Sequence, residues 1–392
     1  MKTNTTTSRP VDVSLPCLAH GSGGRGREGI QNSKLKIQNG LGRFSRTWPG
    51  LALAAFIFSF GASSFNPAHA ATFFTQTNLV ADQPGKAIHT DPNLVNAWGV
   101  AYTQGVPYWV GNNGTGTSTG YDGNGKKVSL VIKIQGQGGP GTGPVTGAVY
   151  NNQAGAFKND TYIFDTEQGY VVGWNSVMGT NSALRADGSA RGAVYKGLAI
   201  GNVDGVSYIY ATDFHNGVVD VFNGSYARVG LKGKFVDPKT PKGYAPFNIH
   251  TVGTLLFVTF AKQDPSKHDE LDGAGLGFVS VFHMDGTFVK RFASGSKAGG
   301  KIPQLNAPWG VAVAPSGFGA DGGKILIGNF GNGEIAVFST AGKYLGVLEK
   351  SKGHPVKISG LWEIFAGPAK RLYFSAGTDS EQHGLFGYLK GK

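Results

Sequence analysis

The stretch Gly328 to Phe338, GNFGNGEIAVF, has a near twin 116 residues upstream in ATDFHNGVVDVF, Ala211 to Phe222. The glycine that opens the strand-like half of the phrase, Gly333, has counterparts at Gly116, Gly169, Gly217, Gly277 and Gly384, at successive spacings of 53, 48, 60, 56 and 51 residues. A period of this length restricts the chain to repeat architectures, whose units bury their apolar faces only against neighbouring units.

Each unit reads as four short strands. The first opens with a small or aromatic pair and continues apolar: AWGVAY from Ala97, VTGAVY from Val145, YKGLAI from Tyr195, PFNIHTV from Pro246, PWGVAV from Pro308 and GLWEIF from Gly360. The second is β-branched or aromatic, as in TYIFD and LLFVTF, and the third is the repeated phrase, alternating apolar residues with others at period two. The fourth leaves a glycine turn, as in GTFVKRF from Gly286 and GKYLGVL from Gly342. No segment sustains a helical period, and 63 glycines suit many tight turns. Four strands per unit at this spacing predict an all-β, six-bladed propeller with blades at about 93–134, 143–185, 193–236, 244–293, 305–349 and 358–390. The sixth unit ends after its third strand, so TFFTQTNLV, residues 72–80, is expected to complete it and close the ring, which removes a sheet edge.

Residues 1–70 read as a leader and not as part of the fold. Arg43 and Arg46 precede an apolar run at 51–60, and Ala68-His69-Ala70 follows, which is the n-region, h-region and small-residue site of a secretory signal with cleavage expected at 70/71. Removing the leader's eight basic and two acidic residues from the chain's 36 and 24 leaves 28 and 22, a net of +6 on a single propeller domain at 71–392. That charge forms no Lys/Arg block and argues against a nucleic-acid partner. The one cysteine, Cys17, lies in the leader, which leaves no disulfide and no thiolate ligand after it and suits an exported protein, periplasmic or extracellular. The apolar run is too short to span a bilayer, so no membrane span is expected in the mature chain.

The phrases NLVADQPGKAIHTDPNLVNAWGVAY, LNAPWGVAVAPSGFG and GNFGNGEIAVF resemble the six-bladed propeller superfamily of NHL-type repeats and lactonase-like enzymes, over essentially Thr72 to Leu389. They are closer still to a family of uncharacterised exported bacterial proteins, some of which carry a C-terminal PEP-CTERM sorting tail; no such tail follows Leu389. The resemblance implies fold and export, and no agreed activity.

Candidate site residues fall into five groups. The Asx residues that end second strands, Asn112, Asp165, Asp213 and Asn329, are turn formers first, and secondly candidates for a channel mouth where those loops converge. The lactonase likeness implies a divalent metal held by one Glu with Asn and Asp from other blades, and oxygen ligation would suit Ca²⁺ or Mg²⁺. Here Asn96 stands at that family's usual Glu, so a metal set would be Glu363, Asn112, Asn248 and Asp213, the alternative being a Glu363 paired with Lys or Arg. His250 takes a position filled by Ala101, Ala199 and Ala312 in other blades, and is either a ligand contact or base or a hydrogen-bonded core residue; His215 and His383 sit in mouth loops. Trp98, Trp309 and Trp362, with Phe247, recur at one first-strand position, to wedge blades or to stack a flat ligand. Lys262 opens a charged insertion, 261–277, that reads as a lid.

Gly136 to Gly141 matches G-x-G-x-x-G, but Pro140 interrupts it and no helix pattern follows; GSKAGGK from Gly295 lacks the ending of a phosphate loop. No H-E-x-x-H or C-x-x-C signature occurs in 71–392. The reading is therefore a monomeric exported propeller that binds a small molecule, a glycan or an envelope protein at its channel mouth, with no cofactor required. A metal-dependent hydrolase of lactonase type is the alternative, and a quinone-dependent sugar oxidoreductase stands third.

Overall fold

A computed structural model describes residues 72–296 and 303–392. The leader, with its apolar run and cleavage point, lies outside these residues, as do positions 297–301 of GSKAGGK. Six antiparallel sheets, each built on four strands, follow one another along the chain as a six-bladed β-propeller. The innermost strands are Ala97–Ala101, Val145–Tyr150, Tyr195–Val203, Tyr244–Val252, Pro308–Val313 and Leu361–Gly367, in blades 1 to 6. Each blade runs outward through hairpins, as in blade 3, where Val206–Asp213, Val218–Asn223 and Arg228–Val229 follow in order. In blade 6 the outer place is taken by Phe74–Ala81, which pairs antiparallel with the last strand, His383–Gly391.

The repeated phrase has a local cause. Gly333 and Gly217 sit at φ 70°, a left-handed conformation that glycine adopts without steric cost, and the preceding Asx residue ties down the turn. Asp213 accepts from the backbone and side chain of Asn216 at 3.1 and 2.7 Å. Asn329 does the same work by donating to Glu334 O at 3.1 Å and accepting from Asn306 N at 3.0 Å.

Close approach of neighbouring blades explains the glycines of the innermost strands. A Cβ on Gly99 would lie 2.6 Å from Thr146 O of blade 2, and one on Gly310 would lie 2.7 Å from Trp362 O of blade 6. Small polar side chains then fasten each strand to the next. Thr212 Oγ1 donates to Gly197 O and Phe247 O at 3.2 and 3.0 Å, linking blades 3 and 4, and Ser375 Oγ bonds Trp98 O, linking blade 6 to blade 1. Farther out, buried aspartates pin the blades: Asp160 holds Arg185 with two bonds of 2.6 Å and accepts from Tyr226 of the next blade at 2.7 Å. Asp220 does the same with Arg191 and Arg228, and Asp237 with Arg291.

The G-x-G-x-x-G stretch is a two-stranded hairpin, Gln135–Gly136 with Gly139–Pro140, and offers no helix N-terminus to a phosphate. No helix among the described residues is long and apolar enough to cross a membrane.

Candidate functional site

Ring contacts across the channel, some of them between blades that are not neighbours, mark the propeller axis. Trp98 of blade 1 stacks on Trp362 of blade 6 at 3.5 Å between ring centroids and meets Trp309 of blade 5 edge-on at 6.1 Å. Phe247 of blade 4 and Phe330 reach the same Trp362 at 6.0 and 4.0 Å. These rings are buried and form one cluster across the axis, near the end where the innermost strands begin. They plug the channel, so its two mouths are chemically separate.

At the mouth where the innermost strands end, the channel widens into a cavity of about 410 Å³ lined by all six blades, among them Tyr102, Tyr150, Leu198, His250, Val311 and Phe365. That volume lies within the range of small-molecule sites. Its walls are apolar because the residue that follows the glycine on each strand is Val100, Ala148, Leu198, Ile249, Val311 or Ile364. Its floor is polar because two blades break the glycine pattern. Asn248 and Glu363 stand where Gly99, Gly147, Gly197 and Gly310 stand in the other four.

The floor has a defined hydrogen-bond order. Asn248 Oδ1 accepts from Ile249 N at 2.8 Å and its Nδ2 donates to Trp309 O at 3.2 Å, which fixes the amide. The second Nδ2 proton therefore points at His250 Nε2, 2.8 Å away and closer than the 3.3 Å from Nε2 to Trp309 O, so Nε2 is assigned as the accepting nitrogen and the ring proton to Nδ1. Glu363 Oε1 accepts from Ile364 N at 2.9 Å and lies 3.8 Å from His250 Nε2. Burial pushes the Glu363 carboxyl up to about 8, and burial holds the His250 imidazole down at about 4. Near neutral pH the floor is thus a carboxylic acid beside a neutral imidazole, both buried away from Lys and Arg.

The opposite mouth is built on Lys196, which occupies the place of Trp98 and Trp309 in its own blade and is 1% exposed. Its ammonium lies 2.5 Å from Glu167, 3.0 Å from Asp269 and 5.2 Å from the Trp98 ring centroid. Burial alone would lower its pKa, but Glu167, Glu270 and Asp269 together hold it above the ordinary lysine value. Asn96 and Asn113 extend the network, donating to Glu381 at 2.7 Å and to Glu167 at 2.9 Å. Glu381 arrives on a turn in which Asp379, Ser380 and Glu381 all have positive φ. Burial raises Glu270 to about 7. Glu167, His268 and Asp269 bring ligating atoms within 4.8 Å of one another, and Lys196 already supplies the cation that Glu167 and Asp269 share.

The structure brings together some candidates and separates others. Asn248, His250 and Glu363 meet on the cavity floor. Asn112 donates to Thr117 and Thr119 inside blade 1, and Asp213 caps its own turn and faces Arg191 at 3.7 Å, so the four-residue oxygen set is not assembled at one point. Among the described residues Glu363 has no Lys or Arg partner either; His250 lies 3.8 Å from it. Asp165 is fully buried, accepts from Thr146 Oγ1 and Gly147 N at 2.8 and 2.6 Å, and is raised to about 7 by burial. Asn329 is a turn residue. His215 lends only its carbonyl, to Gln263 Nε2, and Lys262 lies 5.6 Å from the Tyr244 ring centroid. Within the plug Trp98 and Trp362 stack, and Trp309 meets both edge-on.

The 261–277 insertion prolongs the second strand of blade 4 as Leu255–Gln263 and returns through Glu270–Leu271, then reaches blade 5, where Gly273 N donates to Asn306 at 2.6 Å. Lys196, Glu167 and Glu381 were not singled out from the sequence, although a lysine at a Trp position in YKGLAI was a readable signal.

The class defined by this fold and site is a six-bladed β-propeller with an aromatic plug and one apolar, polar-floored channel cavity. The chain belongs to a family that includes two Acanthamoeba polyphaga mimivirus proteins, uncharacterized protein R648 and uncharacterized protein L690. R648 is 32% identical over 345 residues, 83% of this chain and 82% of its own length. L690 is 31% identical over 359 residues, 87% and 92% of the two chains. No protein-family profile matches. Among solved structures, the α-L-arabinofuranosidase Arb93a of Fusarium graminearum is 10% identical with a TM-score of 0.51, covering 82% of this chain and 98% of its own. An auxiliary nutrient binding protein of Bacteroides thetaiotaomicron gives the same identity and score over 81% and 77%. At that identity the likeness is one of fold.

Proposed function

We propose that this protein is a binding propeller that takes a small molecule into the cavity at the mouth where its innermost strands end. The carrying observation is a cavity whose wall mixes Val, Leu and Ile with Tyr and Thr side chains and whose base carries Glu363 and His250, drawn from blades 6 and 4. Convergent polar groups at the base of an apolar cavity are the general form of a small-molecule site. A binding role is favoured over the metal-dependent hydrolase because neither Asn112 nor Asp213 lines the cavity that Glu363 enters, and Asn112 Nδ2 and the Asp213 carboxylate bond within their own blades.

Export is part of the proposal. It rests on the basic residues, apolar run and Ala68-His69-Ala70 of the leader, and on the lack of cysteine after Cys17. N-terminal sequencing of the secreted chain is expected to begin at Ala71; a retained leader counters it.

The binding reading is tested by screening residues 71–392 against a pool of uncharged small molecules by thermal shift, with Ala199→Phe and Ala312→Phe as controls. Hits that stabilise the wild-type chain and fail with the filled cavities support the site. Hits that survive both substitutions bind elsewhere and defeat it.

A further inference from the structure

The floor of the cavity carries more information than its polarity, because its hydrogen-bonding capacity can be counted. Four atoms are already engaged. Asn248 is saturated by Ile249 N, Trp309 O and His250 Nε2; His250 Nε2 is used as an acceptor; and Glu363 Oε1 accepts from Ile364 N. Among the described residues no side chain or backbone group bonds His250 Nδ1 or Glu363 Oε2, and both residues line the cavity. With Nε2 accepting, Nδ1 carries the imidazole proton. Burial with no cation in contact keeps Glu363 protonated against the pull of the Ile364 N–H bond, and with Oε1 taken up by that bond the carboxyl proton is placed on Oε2. Both free floor atoms are therefore donors.

We infer that the cavity selects uncharged molecules with an apolar body and a terminal carbonyl acceptor, such as a ketone, ester or lactone, whose oxygen is gripped jointly by Glu363 Oε2–H and His250 Nδ1–H. This deepens the small-molecule reading and rests on it. An alkylammonium would meet the Nδ1–H donor of His250 and would gain a partner only by drawing the proton off the buried Glu363. A carboxylate would find two donors, but would bury its charge among Val, Leu and Ile side chains with no Lys or Arg beside it, a cost that a neutral carbonyl escapes. The carbonyl enters body-outward, because the Trp98, Trp309 and Trp362 plug closes the channel immediately behind His250, whose ring meets Trp309 edge-on at 5.9 Å.

The experiment compares three probes that share one body, 2-octanone, octanoate and octylammonium, by titration calorimetry against residues 71–392 at neutral pH. The expected result is that 2-octanone binds at least about tenfold more tightly than either ion, equivalent to about 1.4 kcal/mol. Glu363→Gln, which keeps an N–H donor, retains 2-octanone binding, whereas Glu363→Leu loses it by at least about tenfold. In the wild-type chain the affinity falls as pH rises through about 8, the value to which burial raises Glu363, and in Glu363→Gln it does not. Tighter binding of either ion, or equal loss in Glu363→Gln and Glu363→Leu, overturns the carbonyl assignment while leaving a ligand site in place if Ala312→Phe abolishes binding. Binding of all three probes that Ala312→Phe leaves intact overturns the site itself, and binding of none overturns the carbonyl class.

Discussion

Glu363 of blade 6 and His250 of blade 4 face each other across the propeller axis, Oε1 to Nε2, at 3.8 Å, with no Lys or Arg between or beside them. An acid and an imidazole this close would be charged partners at a surface; here burial keeps each in its neutral form.

The pH dependence of stability follows from that relationship. Burial raises Glu363 to about 8 in the folded chain, so the unfolded chain loses the proton first as pH rises. The native state then binds more protons than the unfolded one, and stability falls progressively from about pH 4.5 to pH 8. His250, lowered to about 4, works from the other side: the unfolded chain gains the proton first, and stability falls as pH drops from about 6.5 to 4. Glu363→Gln is therefore expected to raise the melting temperature relative to wild type at pH 8.5 and to leave it near wild type at pH 4, read by differential scanning calorimetry. His250→Gln is expected to flatten the acid limb.

Lys196 at the opposite mouth is expected to be structural. Lys196→Met leaves Glu167 and Asp269 facing a buried site without a cation. Breaking a buried pair from one side costs about 3–5 kcal/mol, and the exposure of Asp269 puts this case at the lower end. Urea unfolding measures it, and restoration of stability by the added change Glu167→Gln is the expected signature of the pair.

Gly310 tests the packing of innermost strands. A side chain there meets Trp362 O at 2.7 Å and Ile364 N at 2.8 Å, both backbone atoms of blade 6 that cannot swing aside. Gly310→Val is expected to destabilise by about 1–3 kcal/mol, the usual cost of overpacking, in the same unfolding assay. Gly323, with open space around its Cβ position, has φ 75° and serves as a contrast in which any loss is due to backbone strain alone.

Asp160 tests the outer ring of pins. It is fully buried and holds Arg185, Tyr226 and Asn175 at once, so Asp160→Ala orphans a guanidinium that is 10% exposed. The expected loss is about 3–5 kcal/mol. Asp122, which caps an exposed turn through Asn124 N and Lys126 N, is expected to lose far less on the same substitution.

How much of this was readable beforehand depended on sequence distance. The blades were legible because each turn is local: Gly333 and Gly217 need a left-handed backbone, and Asn329 and Asp213 cap it within a few residues. The floor was half legible. Glu363 stood out against a column of glycines and His250 against a column of alanines, but they lie 113 residues apart, and only the circular order of the blades turns both toward one axis. The Lys196 network was not read at all, because Glu167, Asp269 and Glu381 come from three loops that carry no common spacing. The Asx residues Asp213 and Asn329 are turn formers, as their repetition suggested: the pattern repeats because turns repeat.

The most direct measurement is a crystal structure of residues 71–392 with the strongest binder from the uncharged pool. The account expects ligand density in the cavity at the mouth where the innermost strands end, in contact with Glu363 Oε2 and His250 Nδ1, with the Trp98, Trp309 and Trp362 plug unmoved behind it. Ligand density among Lys196, Glu167 and Asp269, with that cavity holding only water, would contradict it.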